Sequence, residues 1–139
     1  MLAKLAISTA MVVTTVLMHG GGLTLLSRMI RLENRLERDQ HVPPFSMRAM
    51  GFTVLVVLSL FVIHGLEIWL YAALYLVLHA VGTLETAVYF STISYAAIGY
   101  DDRYMEPAWR LVSGIEGING VLLLGWSTAF FITVMRRLH

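Results

Sequence analysis

Three long runs of apolar residues dominate the chain, and shorter polar stretches separate them. The runs extend from Leu5 to Leu26, from Ala49 to Leu78 and from Trp109 to Met135. Each reaches or exceeds the roughly 20 residues that a helix needs to cross a bilayer. This pattern predicts an all-α membrane protein with three transmembrane helices. The second run is long enough to tilt or to extend beyond the lipid.

The stretch between the second and third runs, Thr83 to Asp102, has a different pattern. It is too short and too polar for an ordinary span. It predicts a short amphipathic helix that ends at a small-residue turn around Gly99, before Asp101 and Asp102. Irregular backbone at membrane depth is tolerated only where it is buried in protein or lines water. The stretch therefore predicts a re-entrant segment and favours a pore.

Composition supports a membrane protein and limits its chemistry. Hydrophobic residues make up 58% of the chain and charged residues 14%, with a mean hydropathy of +0.73. A soluble domain of this length would need more polar surface. The chain contains no cysteine, which excludes disulfides and thiolate chemistry. Its 139 residues indicate one domain, and because one such chain is small for enclosing a pore, they point to an oligomer.

The first apolar run has a second interpretation, a cleaved signal peptide. Lys4 is the only charged residue before it, the run is longer than a signal-peptide core, and no A-x-A site leads into a soluble region. We therefore predict that residues 1–27 form an uncleaved transmembrane helix. His19 and the run Gly20–Gly22 suit close helix packing or a local kink, and packing is the simpler interpretation.

Residues 28–48 form the one long polar stretch, which predicts a cytoplasmic linker with an interfacial helix. Its apolar residues recur at helical spacing, and Pro43–Pro44 ends the pattern. Acidic residues interleave with its arginines, which argues against nucleic-acid binding. Lys and Arg concentrate in cytoplasmic loops. This stretch and Arg136–Arg137 therefore predict a plasma (inner) membrane protein with its C-terminus in the cytoplasm and its N-terminus outside.

Ionisable residues inside the apolar runs are costly and should face protein or water. His64 and Glu67 lie three residues apart on one helical face of the second run. They are either ion- or proton-handling groups or an inter-helix hydrogen-bonded pair that holds subunits together. In the third run, we expect Glu116 to contact the re-entrant segment or water. The same run contains glycines whose spacing permits close packing, Gly114, Gly117, Gly120 and Gly125.

The segment Ala97-Ile98-Gly99-Tyr100-Asp101-Asp102 resembles the pore signature T-x-G-Y-G-D of potassium channels. The preceding A-V-Y-F-S-T-I-S-Y corresponds to an aromatic-rich pore helix. R-L-V-S-G-I-E-G-I-N-G, Arg110 to Gly120, is similar to the inner helix of small bacterial two-helix channels. The resemblance covers about Ala49 to Met135. It identifies the chain as a member of the potassium-channel superfamily with an extra N-terminal helix and a divergent filter.

The resemblance implies a homotetramer in the lipid bilayer, with one filter strand from each chain around a central pore. It divides residues 49–139, the pore domain, into an outer helix (49–78), a pore helix (83–96), a filter (97–102) and an inner helix (109–135). Carbonyl groups of the filter would bind dehydrated cations, and they belong to Ala97, Ile98, Gly99, Tyr100 and Asp101. By the same resemblance, Gly120 is the hinge of the inner helix. Protonation of Glu116 or His64 is a possible gating trigger.

Two filter positions depart from the family pattern. Ala97 stands where the family has threonine, whose hydroxyl helps form the innermost site, and Asp101 stands where it has the second glycine. Four copies of Asp101 and Asp102 would surround the outer mouth with carboxylates, which attract cations and suit divalent ones. We predict a passive channel for monovalent cations, K⁺ and also Na⁺, with weakened selectivity. No cofactor is expected, and no metal beyond the permeant cation.

Other functions are compatible with parts of the sequence. A non-conducting membrane assembly or accessory subunit would explain the altered filter at Ala97 and Asp101. A haem-binding electron carrier would need paired histidines on different helices, and candidates such as His64 and His79 do not clearly match. We expect no enzyme, because no nucleophile, base and orienting group form a visible set and no H-E-x-x-H spacing occurs.

Overall fold

The structure, a computed structural model, describes residues 1–36, 47–99, 103 and 105–136. Within these ranges the chain forms no strand and contains four α-helices: α1 (Leu2–Leu36), α2 (Met47–Val77), α3 (Leu84–Tyr95) and α4 (Arg110–Met135). A 3-10 turn at Pro107–Trp109 leads into α4. Helices α1, α2 and α4 are long and apolar enough to cross a membrane. The predicted all-α membrane fold with three candidate spans is confirmed.

Helix α1 extends further than the sequence suggested. We predicted an end at residue 27 and a separate interfacial helix, but α1 continues without a break to Leu36. Residues 28–36 contain neither Pro nor Gly and consist mostly of good helix formers, so nothing in them ends a helix. The rest of the predicted linker, including Pro43–Pro44, falls in 37–46, outside the described residues.

Helix α3 is too short to cross a membrane and folds back along α2. Its 12 residues extend about 18 Å at a rise of about 1.5 Å per residue, against about 30 Å of hydrocarbon. The helix begins after Thr83, whose side chain caps it by accepting from the Thr86 N–H (3.2 Å). Further along, the Ser91 hydroxyl oxygen lies 2.9 Å from the Ile68 carbonyl oxygen. Helix α3 therefore runs from the end of α2 back towards its middle.

Two apolar clusters lie towards opposite ends of the helix bundle. One joins the end of α2, α3 and the start of α4, and includes Tyr71, Tyr75, Phe90 and Val112. The other joins α1, the start of α2 and the end of α4, and is formed by Leu23, Leu26, Val56, Leu60 and Val134. The buried His19, Glu67 and Glu116 lie along the helices between these clusters. The fold thus places its buried ionisable groups at mid-height.

Candidate functional site

The predicted filter begins in a tight turn at the carboxyl end of α3. The Ala97 N–H donates to the Ser94 carbonyl, and the Ile98 N–H donates to the Ile93 carbonyl, each at 3.0 Å. These two bonds form a Schellman turn, in which the residue after the helix cap is left-handed. Ala97 occupies that position with a φ of 52°. The turn directs the chain away from α3 into the predicted filter.

The surface beside this turn is concave and lined mainly by small residues. A cavity of about 230 Å³ lies between the carboxyl end of α3 and α4, and small residues such as Ser94, Gly114 and Gly117 line it. Ala97, Ile98 and Gly99 are exposed in the single chain. The remaining predicted filter and outer-mouth positions lie outside the described residues, namely Tyr100, Asp101 and Asp102. The described part of the predicted filter therefore borders an open surface.

Two glycines of α4 allow the carboxyl end of α3 to approach that helix closely. A Cβ atom at Gly117 would lie 3.1 Å from the Ser94 carbonyl oxygen. A Cβ atom at Gly120 would lie only 2.1 Å from the Tyr95 carbonyl oxygen, so this position requires glycine. Helix α4 continues through Gly120 from Arg110 to Met135. The contact gives Gly120 a packing role, and its role as a hinge stays a prediction.

Glu116 connects α4 to α2 and α3. Its side chain is completely buried. The hydroxyls of Tyr75 on α2 and Ser91 on α3 donate hydrogen bonds to its carboxylate. We expected Glu116 to contact the segment Thr83 to Asp102 or water, and Ser91 belongs to that segment. The three side chains hold α2, α3 and α4 together at one level.

His64 and Glu67 belong to a polar cluster that includes all four helices. The predicted pair is in contact, with His64 Nδ1 3.3 Å from Glu67 Oε2. His19 Nδ1 of α1 lies 3.0 Å from Glu67 Oε1, and the Tyr95 hydroxyl of α3 donates to Oε2. Ser127 of α4 lies 2.9 Å from His64 Nε2. We call these five residues the histidine cluster.

The sequence did not reveal the role of His19. Packing was the simpler interpretation, but His19 is fully buried and contacts a carboxylate 48 positions away. An ionisable residue inside an apolar run was the available signal. Its partner could not be identified because the contact depends on how α1 packs. The neighbouring glycines do pack closely, since a Cβ at Gly20 would lie 3.2 Å from Trp126 and one at Gly22 2.9 Å from Ile63.

Replacing Ala97 with glycine should stabilise the protein by about 1 kcal/mol, because a left-handed backbone costs an alanine about that much and costs glycine almost nothing. Unfolding of the detergent-solubilised protein by heat or by SDS measures the change. Ala96→Gly is the matched control, because Ala96 has ordinary right-handed angles (φ −81°, ψ 0°). It should lose about 0.5 kcal/mol or more. Equal effects of the two substitutions would contradict the assigned turn.

Comparison with known proteins gives one family. A family model described as "Ion channel" matches residues 52–137. Comparisons with curated proteins and with solved structures gave no match. The matched part includes most of α2, all of α3, the predicted filter and α4, and leaves α1 outside. The chain therefore belongs to the ion-channel family, as a potassium-channel-superfamily pore domain preceded by an additional N-terminal helix.

Proposed function

We propose that the chain is one subunit of a homotetrameric cation channel in the plasma membrane that passively conducts monovalent cations. In this proposal α3 is a re-entrant pore helix, and residues 97–101 form the filter strand. The observation that carries it is the position of α3. This helix is too short to span, folds back along α2, and ends beside Gly117 and Gly120 of α4, where the predicted filter starts.

The concave surface between α3 and α4 suits a position at the axis of such a tetramer. Its glycine, alanine and serine residues leave the predicted filter open on one side. Ile98 is 74% exposed in the single chain, so its side chain is available for contacts with another subunit. A fourfold assembly would bury Ile98 and bring four copies of Gly99 together. The carboxyl end of α3, with a partial negative charge of about half an electron, would then favour a cation.

The distribution of arginines supports an orientation for the channel. Arg28, Arg31, Arg48 and Arg136 lie at the end of the bundle that holds the apolar cluster of Leu23, Val56 and Val134. The positive-inside rule makes this end cytoplasmic. The loop from α2 to α3 and the start of the predicted filter would then approach the pore from outside.

We expect the two altered filter positions to determine the ion selectivity of the channel. Without the threonine hydroxyl, Ala97 offers only its backbone carbonyl to an ion, so discrimination between K⁺ and Na⁺ should be weak. Asp101 and Asp102, repeated in four subunits, would concentrate cations at the outer mouth.

Any gating movement of α4 would be transmitted to α3, because Gly120 contacts Tyr95 and Glu116 contacts Ser91.

Flux through proteoliposomes tests the proposal. A K⁺ or Na⁺ gradient across liposomes that contain the purified protein should dissipate faster than across empty liposomes, with K⁺ and Na⁺ fluxes within about tenfold of each other. Asp101→Gly, which restores the family residue, should increase the K⁺ preference. Absence of flux in the parent at every pH and voltage, with flux in the Asp101→Gly variant, would overturn the proposal. That result would identify a non-conducting channel-like assembly.

A further inference from the structure

The histidine cluster has the composition of a transition-metal site. His19 and Glu67 are fully buried, and the side chain of His64 is 12% exposed. One ligand atom from each of these three side chains can be chosen so that all three atoms lie within 4.8 Å of one another. Two imidazoles and one carboxylate form a common ligand set for Zn²⁺ and Fe²⁺ in proteins.

The two imidazole rings have the same orientation relative to Ser127 and Glu67. His64 Nε2 lies 2.9 Å from Ser127 Oγ, and His19 Nε2 lies 3.3 Å from the same oxygen. Each ring therefore directs its other nitrogen, Nδ1, towards the carboxylate of Glu67. Metal-binding histidines characteristically donate the second ring N–H to a nearby acceptor, which fixes the tautomer and the ring. A hydroxyl oxygen has two lone pairs, so Ser127 can accept from both rings.

Counting hydrogens shows that the cluster, with neutral imidazoles and an ionised carboxylate, is one hydrogen short. Besides the 3.3 Å approach of His64 to Glu67, five hydrogen-bond contacts join the side chains: His19 to Glu67, Tyr95 to Glu67, His64 to Tyr95, His64 to Ser127 and His19 to Ser127. With both imidazoles neutral and the carboxylate ionised, each histidine, Tyr95 and Ser127 supplies one hydrogen. Four hydrogens cannot fill five contacts, so two acceptor atoms always face each other. Either a metal ion between the imidazoles and the carboxylate or one added proton removes this conflict.

The distances from each Nδ1 atom to the carboxylate are close to those between neighbouring ligands of a metal ion. Bonds of about 2.0 Å in a tetrahedral zinc site place neighbouring ligand atoms about 3.3 Å apart. The two Nδ1 atoms lie 3.0 Å and 3.3 Å from the carboxylate oxygens that they face. The Tyr95 hydroxyl lies 2.9 Å from His64 Nδ1 and completes a set of four oxygen and nitrogen atoms.

We propose that the histidine cluster binds one divalent transition-metal ion, of which Zn²⁺ is the probe, through His19 Nδ1, His64 Nδ1 and the Glu67 carboxylate. The Tyr95 hydroxyl provides the fourth contact, and Ser127 accepts from both Nε2–H groups. His19 belongs to α1, which the family match leaves out, so the metal fastens the additional helix to the pore domain. The site stands on these contacts alone and does not depend on ion conduction.

Zinc titration of the chelator-treated protein in lipid nanodiscs tests the site. Calorimetry should detect one Zn²⁺ per chain, and zinc X-ray absorption should show only nitrogen and oxygen ligands with two imidazoles. His19→Gln and Glu67→Gln should each weaken binding about tenfold or more. His79→Asn is the matched control, because His79 is exposed, lies outside the cluster and has a φ of 52° that asparagine tolerates. It should leave the affinity unchanged.

Three outcomes would overturn the metal site. One is no stoichiometric Zn²⁺ binding by the parent chain, with NMR showing that an imidazole of the cluster takes up a proton instead. Another is unchanged affinity in both glutamine variants. If these variants do not fold, the absorption spectrum of the parent decides, because a spectrum without two imidazoles excludes the proposed ligands.

Discussion

Replacing Gly120 with alanine should destabilise the protein by about 3 kcal/mol or more. The added methyl group would lie 2.1 Å from the Tyr95 carbonyl oxygen and 2.8 Å from its carbonyl carbon. These atoms belong to the backbone at the end of α3, so they cannot move aside as a flexible side chain could. Either α3 shifts away from α4 or the clash persists. Unfolding by SDS or heat, followed by the loss of helical circular dichroism, measures the change.

Gly125→Ala is the matched control for that substitution. Gly125 lies on the same helix, but nothing approaches within 4 Å of the position that its Cβ would occupy. Alanine is about 1 kcal/mol better than glycine inside a helix, so this variant should be equal to or more stable than the parent. Similar stability of the two variants would show that α3 does not pack against Gly120.

In a conducting channel, Gly120→Ala should also reduce ion flux. A shift of Tyr95 would displace the predicted filter, because Ala97 follows two residues after Tyr95.

Replacing Glu116 with alanine should cost about 3 kcal/mol or more. The carboxylate accepts from two hydroxyls, those of Tyr75 and Ser91, and all three side chains are fully buried. Without the carboxylate, the buried Tyr75 hydroxyl loses its acceptor, at a cost of about 1–3 kcal/mol, whereas the Ser91 hydroxyl can still donate to the Ile68 carbonyl. The space left by the missing side-chain atoms adds to this cost. Glu116→Gln keeps one acceptor oxygen and should lose less. The order of unfolding midpoints should be parent, glutamine variant, alanine variant.

A second substitution separates the lost hydrogen bonds from simple loss of volume. Replacing both partners of a buried hydrogen bond with apolar groups is often nearly neutral. Tyr75→Phe should therefore cost less in a Glu116→Leu background than in the parent. Glu85→Gln, at an exposed position in the first turn of α3, should change stability by no more than about 0.5 kcal/mol. Additive effects of the Glu116 and Tyr75 substitutions would argue against their hydrogen bond.

Local pattern was sufficient to locate the helices that form the pore domain. Helix α3 occupies Leu84–Tyr95 where 83–96 was predicted, and α2 and α4 begin and end within about two residues of their predicted limits. The signals were strong because apolar runs of this length have few alternatives and Thr83 is a good helix cap. The end of α1 was predicted less well, since polarity at residues 28–36 marks departure from lipid but does not end a helix.

Contacts between distant parts of the chain could not be predicted in the same way. The sequence indicated that Glu67 and Glu116 need partners, because buried carboxylates are costly. It suggested His64 for Glu67, three residues away, but neither His19 nor Ser127, which approach only through the packing of α1 and α4. The close contact at Gly120 was equally hidden. A glycine in a helix fits a hinge and a packing position alike until its neighbour is known.

A single-particle map of the protein in lipid nanodiscs, in buffer that contains K⁺, tests the central claim most directly. The claim is that residues from Ala97 onward line a shared pore. It predicts a fourfold assembly with α1 and α2 towards lipid, Gly99 from each chain at the axis, and ion density beside its carbonyl groups. A map with Gly99 facing lipid, or with an assembly that has no axis next to the cavity between α3 and α4, would contradict it.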